Sequence, residues 1–478
     1  MTGFGLKFEE RELSLIDLSL QIKKELVSPV ELATACLYRI KKLNAKLNSF
    51  ITVLPEEDIL AQAKECEKLI RSNNYKGPLH GIPYSVKDLI HVKGMRFTAG
   101  SSYYSGYISK NTASVVKKLT SAGAILMGSN NLNELASGIT GKNIQFGDSK
   151  NPFDTSRISG GSSGGSAVAV ATGMVVFSIG TDTGGSVRVP SSLCGVVGMK
   201  PTFGTISMSG VLPLSPSLDH IGIISRKAID SQIIYDVIKS PARLHSLKII
   251  KLTNSNLISS NSTPTISRLL YPSNHFLEVL DCEIKNEFFN LLSLLKRNGK
   301  EVMEVNLDLT REYYKSWKTV RLYEAARVHF LKLQDNSGQL SAEVRDMLLK
   351  GSRIDHVTYL AAKSMIKKIR KKFLNIFGKD NEILLLPTTV IHAPRLRSIY
   401  FTINKKSQRV RDLLLRNTIV FNSIGFPALT IPFGKFYFSQ SILPIGLQLV
   451  GAPHNDKLVL ETGMSIERLV ANSHRLDN

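Results

Sequence analysis

Cysteine is scarce in this chain, with four residues among 478. They lie far apart and form no Cys-x-x-Cys pair; they are Cys36, Cys66, Cys194 and Cys282. This pattern excludes a disulfide framework and a zinc site of the usual spacing. It is typical of a protein in a reducing compartment, so we expect a cytoplasmic location.

Long hydrophobic runs are also missing. The most apolar stretch, residues 167–180, is interrupted by Thr172, Gly173 and Ser178, whereas a membrane-spanning helix needs about 20 apolar residues. The N-terminus contains no basic stretch followed by an apolar core, which a secretion signal would require. We therefore expect a soluble protein with no membrane partner.

Acidic residues are few relative to basic ones: 39 Asp and Glu against 61 Lys and Arg give a net charge of +22. Such a charge attracts polyanions, but the basic residues are spread along the chain and accompany no RNA-binding or zinc-finger motif. The densest basic run, residues 367–372, alternates with apolar residues at helical spacing. We interpret it as the wet face of an amphipathic helix and expect no direct binding of nucleic acid.

Segments with helical and strand-like periodicity alternate along the chain. We predict helices over 11–45, 57–71, 112–122, 167–172, 284–298, 315–334 and 357–377, with a start signal at Ser28, Pro29 and Glu31. We predict strands over 84–87, 124–127, 174–179, 247–251, 383–386 and 445–450. Residues 254–265, rich in Ser and Asn, are predicted to be a surface loop.

This alternation favours one α/β domain over residues 1–478, a buried sheet flanked by helices. Residues 1–75 are predicted to be a helical segment packed on it.

Two loops with Gly-Gly-Ser carry the chemical signal. One reads Gly-Gly-Ser-Ser-Gly-Gly-Ser at 160–166, and the other reads Gly-Thr-Asp-Thr-Gly-Gly-Ser-Val-Arg at 180–188. The second follows an apolar strand, so Ser186 would stand at the strand's tip, preceded by N–H groups that suit a nucleophile beside an oxyanion hole. The first loop alone could be a linker or a phosphate-binding loop, but no Gly-Lys-Ser/Thr follows it, which excludes a P-loop.

In these motifs the chain resembles the amidase signature family. Further segments agree: Gly-Ile-Pro-Tyr-Ser-Val-Lys-Asp at 81–88, Cys-Gly-Val-Val-Gly-Met-Lys-Pro-Thr at 194–202, Ser-Leu-Asp-His-Ile-Gly at 217–222, Gly-Phe-Pro-Ala at 425–428 and Pro-Ile-Gly-Leu-Gln at 444–448. The likeness is strongest over about 77–223 and thinnest over about 240–380. It implies one large domain with a mixed central sheet.

The resemblance also implies site roles and an activity, the hydrolysis of a small-molecule amide through an acyl-enzyme. Ser186 would be the nucleophile, Lys87 the base and Ser162 the bridge between them, with a cis peptide bond before Ser162. A lysine can act as base only when neutral, which burial can achieve.

Supporting roles follow from the same resemblance, and no metal or cofactor is required. The expected oxyanion donors are the backbone N–H groups around Thr183, Gly184, Gly185 and Ser186. The expected loop supports are Ser163, Asp182 and Arg188. His220 is expected to be structural.

Two other serine patterns point to different families. Residues 160–164 satisfy Gly-x-Ser-x-Gly, the nucleophile elbow of α/β-hydrolases, but an elbow follows an apolar strand and 151–157 read as loop. Ser364 and Lys367 mimic the Ser-x-x-Lys motif of penicillin-binding enzymes, without that family's other motifs. We therefore expect neither pattern to form the active site.

The alternative within the family is the A subunit of the tRNA-dependent amidotransferase, which releases ammonia from glutamine for partner subunits. The stretch Asn-Leu-Asn-Glu-Leu-Ala-Ser-Gly at 131–138 and Tyr-Glu-Ala-Ala at 323–326 resemble stand-alone amidases instead. We therefore expect a stand-alone amidase, which would be able to form a homodimer as many relatives do. The alternative that stays open is the amidotransferase component.

Overall fold

The computed structural model describes residues 14–240, 268–307, 312–334, 338–377, 381–438 and 441–476. The predicted strand over 247–251 and the predicted loop over 254–265 lie outside these residues. No described helix combines the length and hydrophobicity that a membrane span requires.

Thirteen strands are found in the described residues. They are β1 (Phe50–Val53), β2 (Pro83–Lys87), β3 (Ile125–Asn130), β4 (Phe177–Asp182), β5 (Val197–Lys200), β6 (His220–Ser225), β7 (Arg268–Pro272), β8 (Val302–Val305), β9 (Glu382–Pro387), β10 (Tyr400–Ile403), β11 (Lys406–Arg409), β12 (Ala428–Phe438) and β13 (Ser441–Val450).

The same residues form fifteen α-helices. They are α1 (Leu15–Lys23), α2 (Pro29–Leu47), α3 (Glu56–Arg71), α4 (Ser114–Ser121), α5 (Gly164–Ala171), α6 (Arg188–Cys194), α7 (Ala228–Ile238), α8 (Cys282–Arg297), α9 (Glu312–Val328), α10 (Phe330–Gln334), α11 (Ala342–Ser352), α12 (His356–Ile376), α13 (Val410–Leu415), α14 (Ile419–Ser423) and α15 (Asp456–Leu476).

Eleven of these strands form one mixed sheet in the order β1-β3-β2-β4-β6-β5-β12-β13-β9-β7-β8. Strand β2 runs parallel to β3 and β4, and β7 runs parallel to β8 and β9. The other neighbours in the sheet are antiparallel. The chain is thus a single α/β domain with a large mixed central sheet, as predicted.

The N-terminal segment differs from its prediction in two ways. The continuous helix predicted over 11–45 is wrong, because α1 ends at Lys23 and Glu25 takes a left-handed φ of 56°. The predicted start of α2 is confirmed by a capping box between Ser28 and Glu31, with Pro29 in the first turn. The segment is also not purely helical, since its β1 pairs with β3 at the edge of the sheet.

The basic run lies on α12, as predicted. Ala362, Ile366, Ile369 and Phe373 are the buried residues of this helix. Between them the lysines of residues 367–372 are exposed and the arginine is half-buried. These positive charges therefore form the solvent face of an amphipathic helix.

The centre of the sheet positions the two Gly-Gly-Ser loops. Strands β2 and β4 are neighbours, fully buried and parallel, with Val86 opposite Ile179. Their carboxyl ends therefore lie at the same edge of the sheet. Lys87 is the last residue of β2, and Asp182 is the last residue of β4. Helix α5 begins at Gly164, within the first loop, and leads into β4.

Candidate active site

Lys87 and Ser162 form the closest side-chain contact between β2 and the first loop. Nζ of Lys87 donates to Oγ of Ser162 at 2.7 Å and to Oγ1 of Thr181 at 2.9 Å. All three side chains are buried, and Lys87 has no exposed surface. The structure thus brings the lysine and the first serine together as the sequence predicts, and it adds Thr181, which the sequence analysis missed.

Burial sets the protonation of Lys87. It lowers the pKa of this amine from 10.5 to about 7, and the carboxylates of Asp182 and Asp219 oppose the shift. Among the described residues, no carboxylate lies within ion-pair distance of Nζ. A pKa near 7 leaves about half of the lysine neutral at pH 7, so the amine can accept a proton.

The first loop carries the unusual peptide bond that the resemblance implies. The Gly161–Ser162 bond is cis. A Cβ on Gly161 would stand 2.2 Å from Oδ1 of Asn133, so only glycine fits there. Asn133 in turn binds the backbone of Gly141 and Lys142, which holds this part of the loop against the 131–142 segment.

Ser163 ties the two loops together. Its N–H donates to the carbonyl oxygen of Ser186 at 3.1 Å, and its hydroxyl donates to the carbonyl oxygen of Thr181 at 3.1 Å. It is fully buried, as is Ser162, whereas Ser186 keeps 5% of its surface exposed. Ser186 is thus the least buried member of the predicted triad.

The turn from β4 to α6 presents backbone N–H groups beside Ser186. The N–H of Gly185 donates to Oδ1 of Asp182 at 2.7 Å. In the part of the chain that the structure describes, the N–H groups of Thr183, Gly184 and Ser186 have no acceptor. Of the four donors predicted for an oxyanion, Gly185 is thus already engaged in shaping the turn, and the other three are available.

A buried ion pair holds this turn. Arg188 donates to Asp182 from Nε at 3.0 Å and from Nη2 at 3.0 Å, and neither side chain is exposed. Burial alone would raise the pKa of Asp182, but the charge and hydrogen bonds of Arg188 hold it well below its usual range. Asn422 and Gln448 are further partners of the pair. Both residues thus lie where the predicted loop supports would lie.

Two residues from distant parts of the chain complete the turn. Trp317 on α9 donates from Nε1 to the carbonyl oxygen of Thr183 at 3.1 Å. Thr418 donates from Oγ1 to the carbonyl oxygen of Gly184 at 2.6 Å. A Cβ on Gly184 would stand 2.6 Å from Cζ2 of Trp317, so the indole packs directly on the turn. Sequence analysis missed both residues, although Trp317 is the only tryptophan in the chain.

The segment at 217–222 supports the turn from the other side. Thr183 donates from Oγ1 to Oδ1 of Asp219 at 2.6 Å. Burial raises the pKa of Asp219 to about 6. His220 binds the carbonyl oxygen of Leu218 through Nδ1 at 2.7 Å, and burial lowers its pKa well below the usual value. A neutral, buried histidine whose described hydrogen bond goes to backbone fits the structural role expected for it.

Neither rival serine pattern gains support. The residues before Ser162 form turns and isolated bridges, not the long apolar strand of a nucleophile elbow. Ser364 lies exposed on α12. The side chain that meets Ser162 is a lysine, whereas an elbow serine requires a histidine.

Comparison with known proteins gives one consistent answer. The family model described as Amidase matches residues 31–460. The A subunit of the glutamyl-tRNA(Gln) amidotransferase from Desulfotalea psychrophila is 32% identical, over 96% of this chain and 98% of that protein. A crystal structure of an amidase superposes with a TM-score of 0.85 at 32% identity, covering 95% of this chain and 99% of the other. The native peptide amidase of Stenotrophomonas maltophilia superposes with a TM-score of 0.81 at 25% identity, covering 97% and 98%. The chain therefore belongs to the amidase family, whose members here include amide-hydrolysing enzymes and a component of the amidotransferase.

Proposed function

We propose that this protein hydrolyses the carbon–nitrogen bond of a small-molecule amide through an acyl-enzyme on Ser186. Ser162 is the bridging hydroxyl, and Lys87 is the base. The observation that carries the proposal is the fully buried Lys87, whose Nζ lies 2.7 Å from Oγ of Ser162. A lysine whose pKa lies near neutral pH can accept a proton from the hydroxyl beside it. Attack by a serine hydroxyl requires such a proton acceptor.

The contacts of Lys87 support the last step of a proton path, from Oγ of Ser162 to Nζ. Neutral Lys87 has one lone pair and two N–H groups, of which one can remain on Thr181, 2.9 Å away. As Ser186 attacks the amide carbon, its proton moves to Oγ of Ser162, and the proton of Ser162 moves to Nζ. Reversal of this path delivers a proton to the departing nitrogen, so that ammonia or an amine leaves as the acyl-enzyme forms.

The turn at 183–186 stabilises the oxyanion in this proposal. The N–H groups of Thr183, Gly184 and Ser186 are available, and an oxyanion donor contributes about 3–4 kcal/mol to transition-state stabilisation. Water, activated by the same Ser162–Lys87 path, then hydrolyses the ester on Ser186. No step of this path calls for a metal or cofactor.

Whether the enzyme acts alone is a separate part of the proposal. We favour a stand-alone amidase in the cytoplasm. The segments at 131–138 and 323–326 support independent action, because they resemble those of stand-alone amidases. The second candidate is the A subunit of a tRNA-dependent amidotransferase, favoured by the 32% identity to such a protein over 96% of this chain. That protein's name implies partner subunits, and in that case partners would also be required here.

Covalent labelling tests the nucleophile. A fluorophosphonate should label the wild-type protein on one residue. Ser186→Ala should abolish labelling and turnover, and Ser162→Ala should slow both by several orders of magnitude without abolishing them. Ser364→Ala, in the exposed serine of α12, is the matched control and should label at the wild-type rate. Labelling that survives Ser186→Ala and disappears in Ser162→Ala would overturn the assignment.

Ammonia release separates the two candidate functions. The purified chain is assayed alone on a series of primary amides that includes glutamine and asparagine. A stand-alone amidase releases ammonia from several simple amides without any addition. Silence on simple amides, with glutamine hydrolysis that appears only after cell extract is added, would favour the amidotransferase component.

A further inference from the structure

A buried arginine without a counter-ion among the described residues lies beside the candidate active site. Arg321 on α9 is 4% exposed. Its one hydrogen bond to a described residue runs from Nη1 to Sδ of Met347 at 3.1 Å, and its Nε has no partner there. In the described part of the chain, no carboxylate forms an ion pair with it.

Such an arrangement is unfavourable unless something else binds the guanidinium. A guanidinium has five N–H donors, and a thioether sulfur is a weak acceptor. A buried charge without a partner loses hydration that nothing replaces. Burial lowers the pKa of Arg321 to about 9, with a further contribution from the charge of Arg411. The side chain therefore remains charged at neutral pH, and among the described residues its Nε–H has no acceptor.

The position of this cation connects it to the turn that holds Ser186. Its Cζ lies 5.4 Å from the ring centroid of Trp317, one helical turn earlier on α9. The same indole donates to the carbonyl oxygen of Thr183 and packs on Gly184. The guanidinium and the proposed oxyanion turn thus contact the same aromatic ring.

The hydrogen-bond acceptor of the guanidinium is also connected to the candidate active site. Met347 on α11, which accepts from Arg321, is also within 2.8 Å of Oγ of Ser137. Ser137 belongs to the 131–138 segment, whose Asn133 packs against Gly161 of the first loop. Arg321 is therefore linked through Met347 to a segment that contacts the first loop of the candidate site.

We infer that Arg321 binds a carboxylate carried by the substrate, so that the enzyme's preferred amides are acidic ones. The inference rests on the proposed amide hydrolysis and names its substrate class. A guanidinium matches a carboxylate with two parallel N–H···O bonds, and the unpartnered Nε belongs to one edge suited to such a pair. The carboxylate is held while the amide carbon of the same molecule reaches Ser186. Glutamine, which has a carboxylate, belongs to this class.

A pair of substrates of equal chain length tests the inference in the wild-type enzyme. Glutaramate and pentanamide each have five carbons and one primary amide, but only glutaramate carries a carboxylate. The inference expects kcat/KM for glutaramate to exceed that for pentanamide by about 100-fold, as expected for charge-assisted hydrogen bonds. A wild-type enzyme that hydrolyses pentanamide as efficiently as glutaramate, and as efficiently as succinamate, overturns it.

Variants of two arginines assign the preference to a residue. Arg321→Met removes the charge and keeps much of the apolar volume, and it should lower the ratio of the two kcat/KM values about 100-fold. Arg321→Lys keeps a charge without the planar fork and should give an intermediate ratio. Arg411→Met is the matched control, since Arg411 is exposed and adds a charge nearby; its ratio should equal that of the wild type. If Arg321→Met lowers kcat/KM by the same factor for both amides, Arg321 contributes only to packing.

Binding can be measured without turnover, because Trp317 is the only tryptophan. Its fluorescence in Ser186→Ala reports glutaramate binding directly. We expect a saturable change with glutaramate, a much weaker response to pentanamide, and loss of the glutaramate response when Arg321→Met is added. If no amide is hydrolysed and no fluorophosphonate labels the chain, the proposed hydrolysis fails, and this titration still decides the role of Arg321. Equal responses to both compounds overturn that role.

Discussion

Replacement of Lys87 by methionine should destroy activity and at the same time stabilise the protein at neutral and acidic pH. Lys87 is fully buried and pairs with two hydroxyl groups instead of a carboxylate. Its charged form is therefore disfavoured in the folded state, where its pKa falls from 10.5 to about 7. Methionine fills a similar volume without a charge.

The magnitude follows from the shift in pKa. One pKa unit corresponds to about 1.4 kcal/mol, so the buried ammonium destabilises the folded state by about 5 kcal/mol at low pH. The substitution leaves the hydroxyls of Ser162 and Thr181 without this donor, which costs about 1–3 kcal/mol. The net gain is about 2–4 kcal/mol. For a chain of 478 residues that corresponds to a rise in Tm of about 2–4 °C.

The two pKa values of Lys87, folded and unfolded, determine how the stability difference between the proteins changes with pH. Because the folded pKa lies below the unfolded one, the unfolded chain binds more protons between about pH 7 and pH 10.5. The stability of the wild type relative to Lys87→Met must therefore rise with pH through that window. Below pH 7 the full penalty is present. Between pH 6.5 and pH 9 the advantage of the variant should shrink by about 2–3 kcal/mol.

Thermal and urea denaturation of both proteins at pH 6.5 and pH 9 measures this difference. Lys117→Met on the exposed face of α4 is the matched control, and its effect should stay within about 0.5 kcal/mol at both pH values. A Lys87→Met protein that is less stable than the wild type by the same amount at both pH values would refute the reasoning. Lys87 would then be a well-solvated or paired ammonium and could not serve as base.

The same pKa predicts how fluorophosphonate labelling of the wild type depends on pH. Labelling requires neutral Lys87, so its rate should rise with pH through about pH 7 and level off above about pH 8. At pH 6 the rate should be about tenfold below the plateau. A rate that is flat between pH 5.5 and pH 8.5 would contradict the role of Lys87. Two further substitutions test the turn that holds Ser186. Asp182→Asn should destabilise the protein by about 3–5 kcal/mol and abolish turnover, because the buried Arg188 loses its counter-charge; urea denaturation measures the first and ammonia release the second, and wild-type stability would show that the pair does not hold the turn. Gly184→Ala should lower kcat/KM by at least about tenfold, since the added methyl would stand 2.6 Å from Trp317. The emission of this single tryptophan should shift as well, and full activity with an unchanged spectrum would rule out the close contact.

Local sequence signals are sufficient to predict a structural feature when only a few residue types can form it. The start of α2 is an example: Ser28 and Glu31 exchange the predicted capping bonds, and Pro29 stands in the first turn. The same proline also disfavours a helical conformation at Ser28. The break before α2 is therefore encoded in the sequence, where the predicted start signal at Ser28 marks it within the helical segment predicted over 11–45.

The two loops are predictable for a similar reason. Their glycines stand where the backbone approaches other atoms too closely for a side chain, as at Gly161 and Gly184. The composition of the loops thus reflects their tertiary surroundings. Lys87, by contrast, is predictable only from its place in the family motif at 81–88; in the structure it ends β2, which is parallel to β4.

The downstream contributors cannot be predicted in this way. Trp317 and Asn422 reach the turn from positions 134 and 240 residues away from their partners in it. Their own neighbours in sequence give each an ordinary place on a helix. Only the tertiary contacts of α9 and α14 with the turn give them a function, and the spacing of residues contains no information on those contacts.

The arrangement of Asp182 explains how a carboxylate can anchor the turn and still leave Lys87 able to act as the proposed base. An unpaired carboxylate near Lys87 would favour the ammonium and raise its pKa, and Asp182 acts in that direction. Its two oxygens, however, accept from the N–H groups of Gly185 and Val187 and from the guanidinium of Arg188. These donors offset the charge of the carboxylate and engage both of its oxygens in the turn. The ion pair therefore fixes Ser186 in place, and burial is left to determine the protonation of Lys87.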